Sequence, residues 1–211
     1  MYKTDVCIFF TDYKDNVCLK NTVSYSNHEV QINLETEFNI REATLQDVPA
    51  ILVLGRNTYK EHFSDIWYDI DSFLNTDFTN DAIESCIKSP SSHRYLLALR
   101  SNILVGFAKL KINSGLNCMG KSCIELQKIY LKKDSVGNHL GSVLIRRVME
   151  LASELNSEYV WLDVLKNNTQ AQKFYRRHQF KIVDEIPYKT DRYEIGMFVM
   201  VKMLKNQLTN I

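Results

Sequence analysis

The sequence predicts a mixed α/β (α+β) domain in which helices flank a central sheet. The main observation is residues 123–180, where a strand, a glycine-containing turn, a long amphipathic helix, an apolar strand and a shorter helix follow in that order. The second is the Ser101-Asn102 pair between two apolar stretches, which is typical of a hairpin connection. A chain of 211 residues can bury a core large enough for stability without disulfide bonds or metals.

Composition and charge exclude several classes of protein. Hydrophobic residues make up 45% and charged residues 24%, as in ordinary globular proteins. The net charge of +1 gives no basic surface for nucleic acid, and no segment approaches the roughly 20 apolar residues of a membrane span. The five cysteines are odd in number and form no C-x-x-C pair. We therefore expect reduced thiols in a cytoplasmic protein, without a metal site.

The first half of the chain divides into an extension and the start of the domain. Residues 1–37 carry short apolar pieces without recognisable chemistry, and we interpret them as an N-terminal extension ahead of a domain at 38–205. Residues 38–41 alternate like a strand, and Asp47 is expected to cap a helix with Pro49 in its first turn. Spacing predicts further helices at 66–73 and 81–88, and strands at 95–99 and 103–112.

The second half holds the clearer elements. Residues 123–132 indicate a strand, and the two-residue period predicts one face with Glu125, Gln127, Ile129 and Leu131, and an opposite face with Lys128 and Tyr130. An apolar stripe from Leu140 to Leu155 predicts a long amphipathic helix. Residues 159–165 are apolar except for Asp163 and predict a buried strand. A short helix after Asn168 and strands at 180–183 and 195–204 complete the domain.

The turn before the long helix has the features of a phosphate-binding loop. It reads Val136-Gly137-Asn138-His139-Leu140-Gly141-Ser142. Gly137 permits a left-handed backbone angle, and Gly141 allows a ligand to approach the start of the helix closely. Backbone amides at such a helix start bind phosphate, although many helices begin this way without a ligand.

The order of motifs resembles the GCN5-related N-acetyltransferase (GNAT) superfamily. The similarity lies in the strand at 125–131, the turn, the strand Trp161-Leu162-Asp163-Val164, and the N-x-x-A-x-x-F-Y motif at 168–175. It covers about residues 38–204, and within the superfamily the chain looks most like the PaiA-type spermidine/spermine acetyltransferases. The resemblance implies a mixed, mostly antiparallel sheet whose strands splay between 123–132 and 159–165. It also implies acetyl-CoA as the cosubstrate, held in that splay.

The chain departs from the family pattern in the turn and at the end of the short helix. In the turn, Val136 stands where the family usually has Gln or Arg, and His139 stands where it usually has the first glycine. The backbone amides remain, so we still expect acetyl-CoA to bind there. His178-Gln179 replaces the usual glycine before Phe180, which is expected to alter the end of the preceding helix. These departures also leave open a degenerate, non-catalytic member.

The resemblance assigns roles to individual residues. The predicted cofactor-binding residues are Ile129, Tyr130, Leu131, Val136, Gly137, Asn138, His139, Leu140, Gly141, Ser142, Asn168 and Tyr175. Tyr175 is the expected general acid for the departing coenzyme A thiolate, because a phenol and a thiol exchange protons readily. Glu125 is the expected base, directly or through water. The alternatives are aromatic packing for Tyr175, an exposed edge position for Glu125 and a helix cap for Asn168.

Acceptor binding is expected from the front helices and a late loop. The predicted substrate-binding residues are Tyr59, His62, Trp67 and Tyr193. Residues 65–84 contain six acidic residues and neither Lys nor Arg, which would suit a polycationic amine. The alternative interpretation of this acidic stretch is a solvated helix surface, and the aromatic residues can equally be packing residues.

These expectations combine into an N-acetyltransferase that moves the acetyl group of acetyl-CoA to a primary amine of a small molecule, for example spermidine. Direct attack of the amine is expected, because the motifs contain no cysteine to carry the acyl group. Three alternatives stay open: acetylation of a protein or peptide N-terminus, acetylation of an antibiotic, and a regulatory module that only binds acetyl-CoA. A homodimer is left open as the assembly.

Overall fold

A seven-stranded sheet forms the centre of the protein. The computed structural model describes residues 38–114, 122–135 and 139–204. The strands are β1 Asn39–Glu42, β2 His93–Arg100, β3 Ile103–Ile112, β4 Cys123–Leu131, β5 Tyr159–Leu165, β6 Lys181–Ile186 and β7 Met197–Met203. Their order is β1-β2-β3-β4-β5-β7-β6, and every neighbouring pair is antiparallel except β4 and β5. The predicted mixed, mostly antiparallel sheet is confirmed.

Helices cover both faces of this sheet. They are α1 Val48–Phe63, α2 Ile70–Asp77, α3 Asn80–Ile87, α4 Leu140–Glu154 and α5 Thr169–Arg177. One apolar cluster joins α1, α2 and α3 to one side of the sheet, which we call the α1–α3 face. A second cluster joins α4 and α5 to the other side, the α4–α5 face. Each face thus buries its own core, as expected for amphipathic helices against a sheet.

Side-chain capping accounts for the start of α2 but not for that of α1. Pro49 lies in the first turn of α1, as predicted, and Asp47 occupies the N-cap position, but its side chain forms no capping hydrogen bond to α1 and accepts instead from the Thr44 amide. The helix predicted at 66–73 begins later, at Ile70, because Asp69 caps it by accepting a hydrogen bond from the Ser72 amide at 3.0 Å. The residues before it form a short 3₁₀ turn instead.

A β-bulge in β4 overturns the predicted pattern of faces. On β3, Lys109 lies opposite Lys128 whereas the next residue, Leu110, lies opposite Leu126, so one residue of β4 is extra. Leu126, Ile129 and Leu131 all pack in the α4–α5 core, and Tyr130 packs in the α1–α3 core. The prediction that Glu125 and Gln127 share a face with Ile129 and Leu131 is therefore wrong. A regular two-residue period cannot reveal a bulge.

The two parallel strands separate after a short contact. β4 pairs with β5 only from Cys123 to Glu125, opposite Tyr159 to Trp161. Beyond Glu125, β4 runs on beside β3 and β5 runs on beside β7, with no further β4–β5 pairing. The predicted splay is confirmed, and it leaves backbone edges of both strands available to a ligand.

Two tight features depend on left-handed residues. Ser101 and Asn102 join β2 to β3 with φ of 48° and 63°, as the hairpin prediction required. Gln179 adopts φ of 70° directly after α5, so the helix keeps a left-handed ending without glycine. The missing glycine was expected to alter the end of this helix. The residue type differs, but the backbone keeps the left-handed conformation.

The cysteine prediction needs one correction. Cys86 takes part in no disulfide bond, whereas Cys123 is disulfide-bonded. The expectation of reduced thiols throughout is therefore wrong for Cys123. Separately, none of the helices in the described ranges is long and apolar enough to span a membrane.

Candidate active site

A group of polar side chains lies on the α1–α3 face where β4 and β5 separate. Glu125 is only 6% exposed, and it lies opposite Trp161 in the last β4–β5 pair. Its Oε2 accepts a hydrogen bond of 2.6 Å from Ser114 Oγ, and its Oε1 accepts one of 3.4 Å from Gln127 Nε2. Trp161 Nε1 donates to the Ser114 carbonyl at 2.5 Å. The base candidate is therefore buried and held in place at the start of the splay.

Asp163 lies beside this group on β5. Val160, Leu162 and Val164 pack in the α4–α5 core, so Trp161 and Asp163 between them project to the opposite face, where Glu125 lies. Asp163 is 2% exposed, and neither carboxyl oxygen has a hydrogen-bond partner among the described residues. Burial, and second the charge of Glu125, raise the pKa of Asp163 to about 7.

Tyr175 lies on the other side of the sheet. It belongs to the α4–α5 core, is fully buried, and makes edge-to-face contacts with Phe174 and Phe180 at ring-centre distances of 5.3 and 5.7 Å. The same core contains Ile129, Leu131 and Leu140. The candidate acid and the candidate base thus lie on opposite faces of the sheet.

Asn168 combines the two roles considered for it. Its Oδ1 accepts a hydrogen bond of 3.0 Å from the Ala171 amide and so caps α5, immediately after β5. Its Nδ2 is buried and has no hydrogen-bond partner among the described residues. An amide donor at the end of a splayed strand is suited to a ligand carbonyl.

The start of α4 supplies the described part of the predicted phosphate turn. Val136, Gly137 and Asn138 lie outside the described residues. His139 is the N-cap, with an exposed side chain and φ of 57°, so it adopts the left-handed conformation that glycine favours. Val143 is the first residue whose amide bonds back within the helix, to His139 at 3.0 Å. The amides of Leu140, Gly141 and Ser142 precede that bond.

Ser142 contacts the end of α5. Its Oγ lies 3.2 Å from His178 Nε2. The pKa of His178 is lowered, first by burial and then by the charges of Lys202 and Arg177, so the imidazole is neutral near pH 7. This contact joins the first turn of α4 to the C-terminal end of α5.

The predicted acceptor residues on α1 and after it are mainly packing residues. Tyr59 is 1% exposed, stacks on Phe73 at 4.8 Å, and accepts a hydrogen bond of 3.1 Å from Trp67 Nε1. Trp67 stacks on the same Phe73 at 4.7 Å and is partly exposed. His62 is partly buried beside Glu61 at 3.9 Å. Substrate contact by these three residues stays a prediction.

Tyr193 lies in the connection between β6 and β7, which packs against the segment between α1 and α2. Arg192 donates to the Asp65 carbonyl at 2.7 Å, and Asp191 accepts from the amides of Tyr68 and Asp69. Residues of both segments and Asn167 line a cavity of about 490 Å³. The segment between α1 and α2 and the loop between β6 and β7 therefore meet near the end of β5, and substrate contact by Tyr193 stays a prediction.

The acidic stretch is largely engaged in structural contacts. Asp77 pairs with the buried Lys128 at 2.7 Å, and Asp71 pairs with Lys60 at 2.6 Å. Glu84 pairs with Lys88 one turn later, and Asp69 caps α2. These contacts favour the alternative interpretation of a helix surface over an acidic wall for a polycation.

Comparison with known proteins decides the family. The profile of the Acetyltransferase (GNAT) family matches residues 56–180, which is more than half of the chain. The chain belongs to the GNAT family. It is accordingly an acyltransferase, and the prediction of an acetyl-CoA-dependent enzyme is confirmed at this level.

Relatives and solved structures agree with this family. An uncharacterized N-acetyltransferase of Lactobacillus delbrueckii subsp. lactis is 26% identical over 143 residues, which cover 66% of this chain and 82% of that protein. The crystal structure of the PaiA N-acetyltransferase from Thermoplasma acidophilum with coenzyme A superposes with a TM-score of 0.65 at 22% identity, covering 79% and 99% of the two chains. The crystal structure of a ribosomal-protein-alanine N-acetyltransferase from Brucella melitensis superposes with a TM-score of 0.60 at 18% sequence identity. The superposition covers 79% of this chain and 99% of that one. At these identities the solved structures show the fold.

The described residues of this acetyltransferase fit an acetyl-CoA arm. The separated edges of β4 and β5 offer backbone groups, and Asn168 Nδ2 is a buried donor in need of an acceptor. The first turn of α4 contains no acidic side chain that would repel a phosphate. The described part of the site therefore supplies donors where the resemblance places the cofactor.

Sequence reasoning missed Asp163 in this acetyltransferase as a site residue. The available signal was its position as the one charged residue of an otherwise apolar strand. A buried carboxyl on such a strand requires a partner or a function. Its proximity to Glu125 followed only from the parallel register, which no local pattern specifies.

Proposed function

We propose that this GNAT enzyme acetylates a primary amine of a small molecule. The observation that carries the proposal is the buried pair of carboxyl groups, Glu125 and Asp163, on the α1–α3 face beside the splay. An ammonium group is the natural partner of buried carboxylates, and it must lose a proton before it can attack a thioester.

The sheet separates the two ends of the proposed reaction. When bound, acetyl-CoA supplies the acetyl group as a thioester. The backbone of Ile129, Tyr130 and Leu131 is proposed to orient its arm and polarise the carbonyl, while Asn168 Nδ2 donates to the arm. Glu125 helps to hold the amine on one face, and Tyr175 serves the leaving thiolate from the other.

The role of Tyr175 is tested by Tyr175→Phe. Removal of the phenol should lower kcat by about 10²-fold or more, because general acid catalysis contributes on that scale. The aromatic packing with Phe174 and Phe180 survives the change, so the melting temperature should stay close to that of the wild type. An unchanged kcat would reject the acid role and leave packing as the function of Tyr175.

The acceptor is identified by a panel of amines. Release of free thiol from acetyl-CoA is followed with spermidine, spermine, n-propylamine, an aminoglycoside, amino acids and short peptides with free N-termini. A polyamine remains our named candidate because of the likeness to the PaiA type, although the acidic stretch gives it little support. Turnover of peptides alone would favour a protein acceptor, and turnover of no amine would contradict the proposal.

A further inference from the structure

We propose that Asp163 is the catalytic base of this enzyme, taking the proton from the acceptor ammonium, while Glu125 positions that ammonium. The proposal rests on the amine acetyltransferase function proposed above. It rests independently on the placement of the two carboxyl groups on one face, one on each of the two separating strands. It replaces the expectation that Glu125 acts as the base.

The hydrogen bonds of the two carboxyl groups distinguish their roles. Both oxygens of Glu125 accept hydrogen bonds, from Ser114 and from Gln127, and such bonds stabilise the charged form. Neither oxygen of Asp163 has a partner among the described residues, although its side chain is 98% buried. A buried carboxyl that is not held by donors readily accepts a proton. Asp163 is therefore the better base, and Glu125 the better fixed anion.

Asp163 lies at the splay, and its neighbour on the adjacent strand β7 carries no charge. Asp163 lies beyond the last β4–β5 pair, where the edge of β5 is free of β4. Its neighbour on β7 is Val199, which is buried. The charged residues that project to the same face from β3 are Lys109 and Lys111, opposite Lys128 and Glu125. An acceptor ammonium would supply a positive charge next to Asp163.

The proposed step balances in atoms and charge. One N–H bond of the acceptor ammonium breaks, and its electron pair stays on the nitrogen. The proton forms an O–H bond with a carboxylate oxygen of Asp163. An ammonium and a carboxylate thus become an amine and a carboxylic acid. The amine then has the lone pair that attacks the thioester carbonyl.

The pKa of Asp163, about 7, suits a general base and makes the rate of the enzyme depend on pH. The base must be ionised to accept the proton, so kcat/KM of the wild type should rise as the pH increases through about 7. The charge of Glu125 contributes to the raised pKa, so Glu125→Gln should move this rise to lower pH. Asp163→Asn should abolish it.

The experiment compares the wild type, Asp163→Asn, Glu125→Gln and the control Asp184→Asn, which changes an exposed aspartate on β6. Spermidine and n-propylamine serve as acceptors, since the second carries an ammonium and no other polar group. Asp163→Asn should lower kcat/KM by about 10²-fold or more for both amines, with acetyl-CoA binding by calorimetry unchanged. Asp184→Asn should behave as the wild type.

A readout independent of turnover completes the test. Infrared difference spectra should show a carboxylic acid C=O band in the wild type that disappears as the pH rises through about 7, and that is missing in Asp163→Asn. Absence of this band overturns the proposal. So does an Asp163→Asn variant with the rate and pH profile of the wild type, in which case the acetyltransferase function stands. If the wild type binds acetyl-CoA but acetylates no amine of the panel, the amine function fails first and this proposal fails with it.

Discussion

At the scale of single residues, the most informative side chain is Asp163. Its buried carboxyl is a cost to the fold, because burial disfavours its charged form and raises its pKa. Proteins retain such groups mainly at functional sites. The residue-scale account therefore predicts that removal of this carboxyl makes the protein more stable while it makes the enzyme less active.

The stability of Asp163→Asn should depend on pH in a defined direction. A carboxyl whose folded pKa of about 7 exceeds its unfolded value holds more protons when folded, so wild-type stability falls as the pH rises from about 4 through 7. The increase in the free energy of unfolding caused by Asp163→Asn should accordingly be about 2–3 kcal/mol larger at pH 8 than at pH 5. Urea unfolding at the two pH values measures it. An equal effect at both would show that the carboxyl is not buried as described.

At the scale of elements, the turn before α1 is held by one charged pair. Arg41 donates two hydrogen bonds, of 2.8 and 2.7 Å, to the Asp47 carboxylate, which also accepts from Thr44. These contacts, first the bond from Arg41, lower the pKa of Asp47. Because the folded pKa is below the unfolded one, this stabilisation is present above about pH 4 and is lost as the pH falls.

Asp47→Asn should lower the free energy of unfolding at neutral pH by about 1–2 kcal/mol, since it removes the charge but keeps an acceptor. The control is Glu42→Gln, which likewise removes only the charge, from the more exposed carboxylate of the Arg94–Glu42 pair, and should cost less than about 1 kcal/mol. Denaturant titrations at pH 7 and pH 3 compare the two. Equal losses for both variants at pH 7 would contradict the account of this turn.

The end of α5 is another element-scale feature. Gln179 adopts φ of 70° where glycine would meet no steric penalty. We expect Gln179→Gly to raise the free energy of unfolding by about 1 kcal/mol, because it relieves the left-handed strain. Gln179→Ala is the matched control, since alanine keeps the strain. The account of this cap is wrong if the melting temperatures of the two variants coincide.

Local patterns predicted the elements but not their mutual placement. The Ser101-Asn102 hairpin and the strand Tyr159–Leu165 were predictable because turn chemistry and apolar runs are local signals. The face of Glu125 was not, because the bulge in β4 depends on pairing with β3. The pairing of Glu125 with Trp161, which brings Asp163 beside it, joins strands that are distant in sequence, so periodicity gives no information about it.

At the scale of the whole molecule, the sheet separates two helix-covered faces, which are connected where β4 and β5 diverge. The α4–α5 face carries the start of α4, which is the described part of the phosphate turn, together with Tyr175, and the α1–α3 face carries Glu125 and Asp163. The β4–β5 splay connects the two sides. This arrangement accounts for a donor and an acceptor that approach from opposite directions and react within the sheet.

The central claim is that acetyl-CoA binds in this splay, and calorimetric titration tests it most directly. The chain of 211 residues should bind one acetyl-CoA. Asn168→Ser should bind it more weakly, by about 0.5–1.5 kcal/mol, because serine keeps the helix cap but lacks the Nδ2 donor. The melting temperature without ligand should be the same for both proteins. Absence of binding to the wild type, or equal affinity for both proteins, would contradict the assignment of the splay as the acetyl-CoA site.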